Sequence, residues 1–138
     1  MDTNLNTKNN DYIKNFKDLK IWQKANSLEQ KIEIIAKSFP TYEKTLKDQI
    51  VRSVRSIGAN IAEGNSQQHL RKEINYINIS LGSTGETRNH IVTAYQNNYI
   101  SKLEYENLDE ELLELIKMMY GYLKALKTKV NNTNSSKS

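Results

Sequence analysis

Four stretches of helical period, short polar breaks between them and one helix that carries no lysine after Lys47 predict an all-α protein. The expected architecture is an up-down-up-down antiparallel four-helix bundle that assembles into an oligomer. No strand pattern competes, and no internal repeat stands out. With 138 residues the chain is long enough for one domain with a real core. That domain is expected over residues 16–129, between disordered tails at 1–15 and 130–138. Both tails are polar and lack apolar periodicity.

The first helix is expected from about Leu19 to Ser38. Its buried stripe is Ile21, Ala25, Leu28, Ile32, Ile35 and Phe39, flanked by Trp22. Asp18 is a candidate cap, because its carboxylate can accept from free amides of the first turn. Pro40 ends the helix by pushing Phe39 out of helical geometry.

The second helix runs from about Tyr42 to Ala62 or Glu63, with Thr41 as candidate cap. Leu46, Ile50, Val54, Ile57 and Ile61 form its stripe, widened by Val51, Gly58 and Ala62 to roughly half the circumference. From Val51 to Gly64 the charges are Arg52, Arg55 and Glu63 alone. So wide an apolar arc implies cover on more than one side. Mid-helix Gly58 implies close approach of another backbone, since glycine costs about 1 kcal/mol there relative to alanine. Gly64 stands where a left-handed residue would stop the helix.

The third helix spans about Leu70 to Asn97. Leu70, Ile74, Ile77, Leu81, Ile91, Val92 and Tyr95 make its stripe, with Gly82 and Gly85 as places for tight crossing. Arg88 falls on the stripe: buried, it needs a partner, for which Glu63 and the glutamates of the fourth helix are candidates, and at the margin its head reaches water instead. After the turn Asn97–Ile100, Ser101 and Glu104 form a capping-box pattern. The fourth helix then runs to about Lys129, with Leu108, Leu112, Leu115, Met119, Tyr122 and Leu126 as its stripe. Acids crowd its first half and lysines its second, a polarity that suits the helix dipole.

Several chemistries find no support. Cysteine is absent, which excludes disulfides and zinc–thiolate sites. Glu86 and His90 sit one helical turn apart, but a bundle di-iron site wants two Glu-x-x-His pairs, and the chain has none. No activated nucleophile or glycine-rich phosphate loop can be argued. A non-enzymatic protein without cofactor is expected. No apolar run approaches the about 18 residues of a membrane span, so the protein is expected to be cytoplasmic, with no membrane partner. The net charge of +4 is compatible with RNA or DNA.

Four segments then occur in order: Phe16–Trp22, Phe39-Pro40, Gln49–Gly64 ending in "NIAEG", and Leu81–Glu86 with "GSxxE". Together they resemble the bacterial four-helix-bundle family of 23S rRNA intervening-sequence proteins, over about Phe16 to Leu126. The resemblance implies a small non-enzymatic bundle in a family that includes ring-like pentamers. A related branch, the accessory protein of diversity-generating retroelements, is a basic pentamer that binds nucleic acid and a reverse transcriptase. The family motif maps to Arg52, Ser56, Asn60, Glu63, Gly64, Gly82, Ser83 and Glu86. After "NIAEG", members often carry an arginine within a few residues; here Asn65–His69 holds none, and the next is Arg71.

Two readings of the motif stand. Arg52, Arg55, Asn60 and Glu63 can grip RNA phosphates, or they can form a polar network that fixes helix 2 against a neighbour. The acid and the amide favour the second. Candidate nucleic-acid contacts are Lys20, Lys24, Arg71, Lys72 and the late lysines of helix 4, with Tyr76 and Tyr99 for stacking. The partners to expect are further copies of the chain, RNA or another nucleic acid, or a different protein.

Overall fold

The computed structural model describes residues 15–137. Among them there are four long helices and no strand: α1 (Lys20–Lys37), α2 (Lys44–Asn65), α3 (Leu70–Gln96) and α4 (Lys102–Lys137). The all-α architecture is consistent with the expected four-helix bundle. Neighbours in sequence pack together, and α4 closes on α1, the loosest of the four seams. The N-terminal tail expected to be disordered lies outside the described residues, apart from Asn15.

Asp18 does not cap α1. It belongs to a 3-10 turn, Phe16–Asp18, whose own cap is Asn15, accepting from the Lys17 amide at 3.1 Å. Gln23 ties back to the Lys17 carbonyl at 2.8 Å, and Phe16 meets Trp22 edge-on with centroids 5.1 Å apart. Thr41 likewise sits inside a 3-10 turn, Thr41–Glu43, and α2 starts without a side-chain cap.

The glycines also differ from expectation. α2 continues through Gly64 to Asn65, and no glycine has positive φ among the described residues. The left-handed stop lies instead at Asn98, φ 63°, after α3. There Tyr99 N–H bonds the Ala94 carbonyl and Asn98 N–H bonds that of Tyr95, as in a Schellman motif. A Cβ at Gly58 would meet the Trp22 ring and Ala25 at ordinary distances of 3.6–3.9 Å, so α1 meets Gly58 with side chains rather than backbone. Nothing lies within 4 Å of a Cβ at Gly82 or Gly85, which face outward rather than into a tight crossing within the chain.

The core is aliphatic: Leu28, Ile32, Ile50, Ile57, Ile61, Ile91, Leu112 and Leu115 are among its fully buried members. Burial of each such chain is worth about 1.5–3 kcal/mol relative to exposure. The buried face of α3 is turned from the expected stripe, however. It runs Glu73, Ile77, Ser80, Thr84, Thr87, Ile91 and Ala94, while Leu70, Ile74, Leu81 and Tyr95 are half-buried at its sides. The physical reason is that the Ser and Thr hydroxyls have hydrogen bonds inside the protein, so they can be buried.

Arg88 lies at the margin of the bundle and is paired, not with a glutamate but with Asp109, through Nε at 2.8 Å and Nη2 at 3.3 Å. The capping box forms as expected. Ser101 N–H donates to Glu104 at 2.9 Å and Glu104 N–H to Ser101 Oγ at 3.1 Å. Beyond Lys129, α4 carries on as helix to Lys137, through residues whose composition reads as a disordered tail.

Candidate functional site

The motif residues Ser56, Asn60 and Ser83 meet at the seam between α2 and α3. Ser56 and Ser83 share a hydrogen bond of 2.8 Å between hydroxyls. Asn60 Nδ2 donates to the Ser56 carbonyl at 2.8 Å and to its Oγ at 2.9 Å. Deeper in the same seam, Ser80 donates to the Ile57 carbonyl at 2.7 Å. Thr87 Oγ1 lies 2.8 Å from the Ser83 carbonyl and 2.9 Å from Ser53 Oγ. Small hydroxyl residues thus let two helices approach while every hydroxyl in the set keeps a partner.

Gly64 belongs to the next layer. A Cβ there would sit 2.9 Å from Tyr76 Cβ and 3.3 Å from the Glu73 carbonyl, so α3 crosses α2 at this glycine. Buried Glu73 accepts from the Tyr122 hydroxyl of α4 at 2.5 Å. Burial, and then the bond to Glu73, push the Tyr122 phenol above its ordinary value and keep it a neutral donor. Of the two motifs, Asn60 and Gly64 of "NIAEG" and Ser83 of "GSxxE" therefore lie at the contact between α2 and α3.

The charged motif residues stay outside this network. Arg55 pairs with Glu33 of α1, which raises its pKa further, and Glu63 is exposed. Arg52 lines a groove with Lys37, Lys47, Val51 and Arg55, in which Glu33 and Asp48 are the acids. Glu86 faces His90 on its own helix at 3.7 Å; His90 Nε2 has no hydrogen-bond partner among the described residues. No group of three or more acids or histidines gathers among the described residues in a way that would hold a metal ion.

The candidate nucleic-acid contacts separate into two classes. Lys24 is committed to α4, 3.2 Å from Glu111 and 3.5 Å from Glu114. Lys20 is exposed at the start of α1 and lines neither of the two grooves that hold Arg71. Arg71 and Lys72 are instead brought against the end of α4. One groove is lined by Gln68, His69, Leu70, Arg71, Lys72, Val130 and Thr133. The adjoining one is lined by Arg71, Ile74, Asn75, Lys127, Val130 and Asn131. Among the described residues, neither contains a carboxylate. Val130 and Thr133 were not legible as site residues, since only the fold places the end of α4 beside the α2–α3 turn.

Neither stacking candidate is free. Tyr76 packs against Gly64, and Tyr99 lies 5.7 Å from the Phe39 ring, centroid to centroid. Among the described residues, the exposed rings are Tyr42 and Tyr120.

The sequence matches the 23S rRNA-intervening sequence protein family over residues 17–121. The chain belongs to this family. No curated protein matches it. Among solved structures, it is similar to a protein of unknown function from the S23 ribosomal protein family of Bacteroides thetaiotaomicron. Identity is 28%, the TM-score is 0.70, and the match covers 75% of this chain and 95% of that one. The family match takes in the whole α2–α3 seam but ends before Lys124 and Lys127. In this member of the family, the basic end therefore combines a matched element, α3, with a segment of α4 beyond the match.

Proposed function

We propose that this protein is a non-enzymatic, cytoplasmic RNA-associated bundle that contacts the phosphates of structured RNA as a homo-oligomer. In this reading the helices alternate up and down, and the copies form the pentamer that the family resemblance implies. The observation that carries the proposal is the basic end: Arg71, Lys72 and Lys127 line adjoining grooves without an acid among the described lining residues. Arginine and lysine there can displace condensed counterions from RNA, and Arg71 can fork onto a phosphate. Its place soon after the α2–α3 turn lets it take the role of the arginine that this turn lacks. The test is fluorescence anisotropy with an RNA hairpin at about 50 and about 200 mM salt. Tight binding that weakens steeply with salt, and is lost in Arg71→Glu/Lys72→Glu, is the expected result. No binding at low salt would reject the reading.

A second reading, a protein-assembly module, is favoured by the outer face of α3. Gly82 and Gly85 leave open space there and Ile79 is 52% exposed, which suits close approach by a helix of another copy. Sedimentation of Gly82→Leu against the wild type tests it: loss of the oligomer supports assembly through this face, and an unchanged oligomer removes it.

A further inference from the structure

The seam between α1 and α4 has a character opposite to that of the basic end. A groove of about 530 Å³ opens there, lined on its apolar side by Ile34, Ile35 and Leu108 and on its polar side by Lys31 and three glutamates. Ile34 is 67% exposed. Leu103, one turn before the lining residue Asn107 on α4, is 68% exposed. Two large aliphatic side chains thus stand in water beside an apolar groove.

The charges around the groove do not cancel. Lys31 donates to both carboxylate oxygens of Glu111, at 2.9 and 3.1 Å. Lys24 is held by Glu111 and Glu114. Both lysines are therefore matched by these two acids. Glu104 accepts from the Ser101 amide and has no cationic partner among the described residues, and Glu110 has no ion-pair or hydrogen-bond partner among them. The rim is negative, which disfavours nucleic acid and favours a cationic occupant.

We propose that this groove docks an amphipathic helix of a partner protein, with an apolar stripe toward Ile34, Ile35 and Leu103 and lysine or arginine on its flanks. A helix lying between two others presents side chains at one-turn spacing, which suits a groove bounded by two helices. Its basic flanks would meet Glu104 and Glu110. Since the groove lies on another helix pair, the proposal stands apart from the RNA reading, and its test contains no RNA.

The probe is a fluorescein-labelled peptide of about four helical turns, with a leucine stripe and lysine flanks. A twin carries glutamate for each lysine. Full-length protein is expected to bind the lysine peptide saturably and the twin at least about tenfold more weakly. Ile34→Glu and Leu103→Glu should each weaken binding about tenfold or more. Glu110→Lys should narrow the gap between the two peptides, and Tyr120→Ser, outside the groove, should leave it unchanged. All the substituted side chains are exposed, and circular dichroism confirms that each variant folds. Equal binding of the two peptides, or wild-type binding by both Ile34→Glu and Leu103→Glu, would overturn the proposal. So would sedimentation showing that the wild type self-associates and Ile34→Glu alone does not, since the occupant would then be a second copy.

Discussion

A methyl group added at position 64 has no room. Its nearest neighbours would be Tyr76 Cβ at 2.9 Å and the Glu73 carbonyl at 3.3 Å, one of them backbone. Gly64→Ala is expected to destabilise by about 1–3 kcal/mol, the usual range for overpacking, against the about 1 kcal/mol that alanine gains in a helix. Gly82→Ala, in open space, should stabilise by about 0.5–1 kcal/mol. Urea midpoints decide, and equal shifts for the two variants would refute the distinction. Spacing alone could not separate these glycines, because what matters is the neighbour across the seam. Tyr122 offers a second residue-level prediction. Its hydroxyl supplies a hydrogen bond to a glutamate buried to 2% exposure, so Tyr122→Phe should cost about 1–3 kcal/mol. The phenol's raised pKa means that its contribution is whole below about pH 10 and is lost as pH rises through the folded value. Alkaline unfolding of the wild type should therefore show a stability loss that Tyr122→Phe lacks.

The helices themselves were legible to different degrees. α1 and the capped start of α4 follow from hydrophobic period and capping chemistry, and the Ser101–Glu104 box forms as read. α3 was legible in extent but not in rotation. Its core face carries Ser80, Thr84 and Thr87, which a search for apolar residues passes over, and only their bonds to α2 or to their own helix account for their burial. Lys24 shows the same limit: it reads as a candidate nucleic-acid contact, yet with Lys31 it clasps Glu111 across the α1–α4 seam. Burial pushes the Glu111 carboxyl up, but hydrogen bonds from Lys31 and Lys24 outweigh it and hold the group below the ordinary glutamate value. The clasp is therefore intact at neutral pH, and its contribution is lost as pH falls through the folded value, below about 4.3. Glu111→Gln should lower the urea midpoint at pH 7 and converge with the wild type in acid. A constant gap across the whole range would show that the residue acts by packing alone.

At the scale of the molecule, charge is divided along α4. Its first half presents acids to α1, and its second half brings Lys127 to the α3 start beside Arg71 and Lys72. The net charge of +4 conceals this separation, because the acids and lysines of α4 nearly balance in the sum. A phosphate chain would be repelled at one end and attracted at the other, so its position on the bundle should be polar rather than diffuse. Each cation that neutralises a phosphate contributes about one unit, slightly less for single strands, to the slope of log affinity against log salt. Lys127→Glu should therefore weaken binding of an RNA hairpin and flatten that slope by about one or more. Lys44→Glu changes the net charge equally, but its position in α2 lies outside both basic grooves, and it already pairs with Asp48 at 3.0 Å. It should leave the slope unchanged. If both variants flatten the slope alike, RNA responds to total charge and the basic end is not an interface. If Lys127→Glu alone does so, the extension of α4 beyond the family match is part of the surface that holds RNA in this protein.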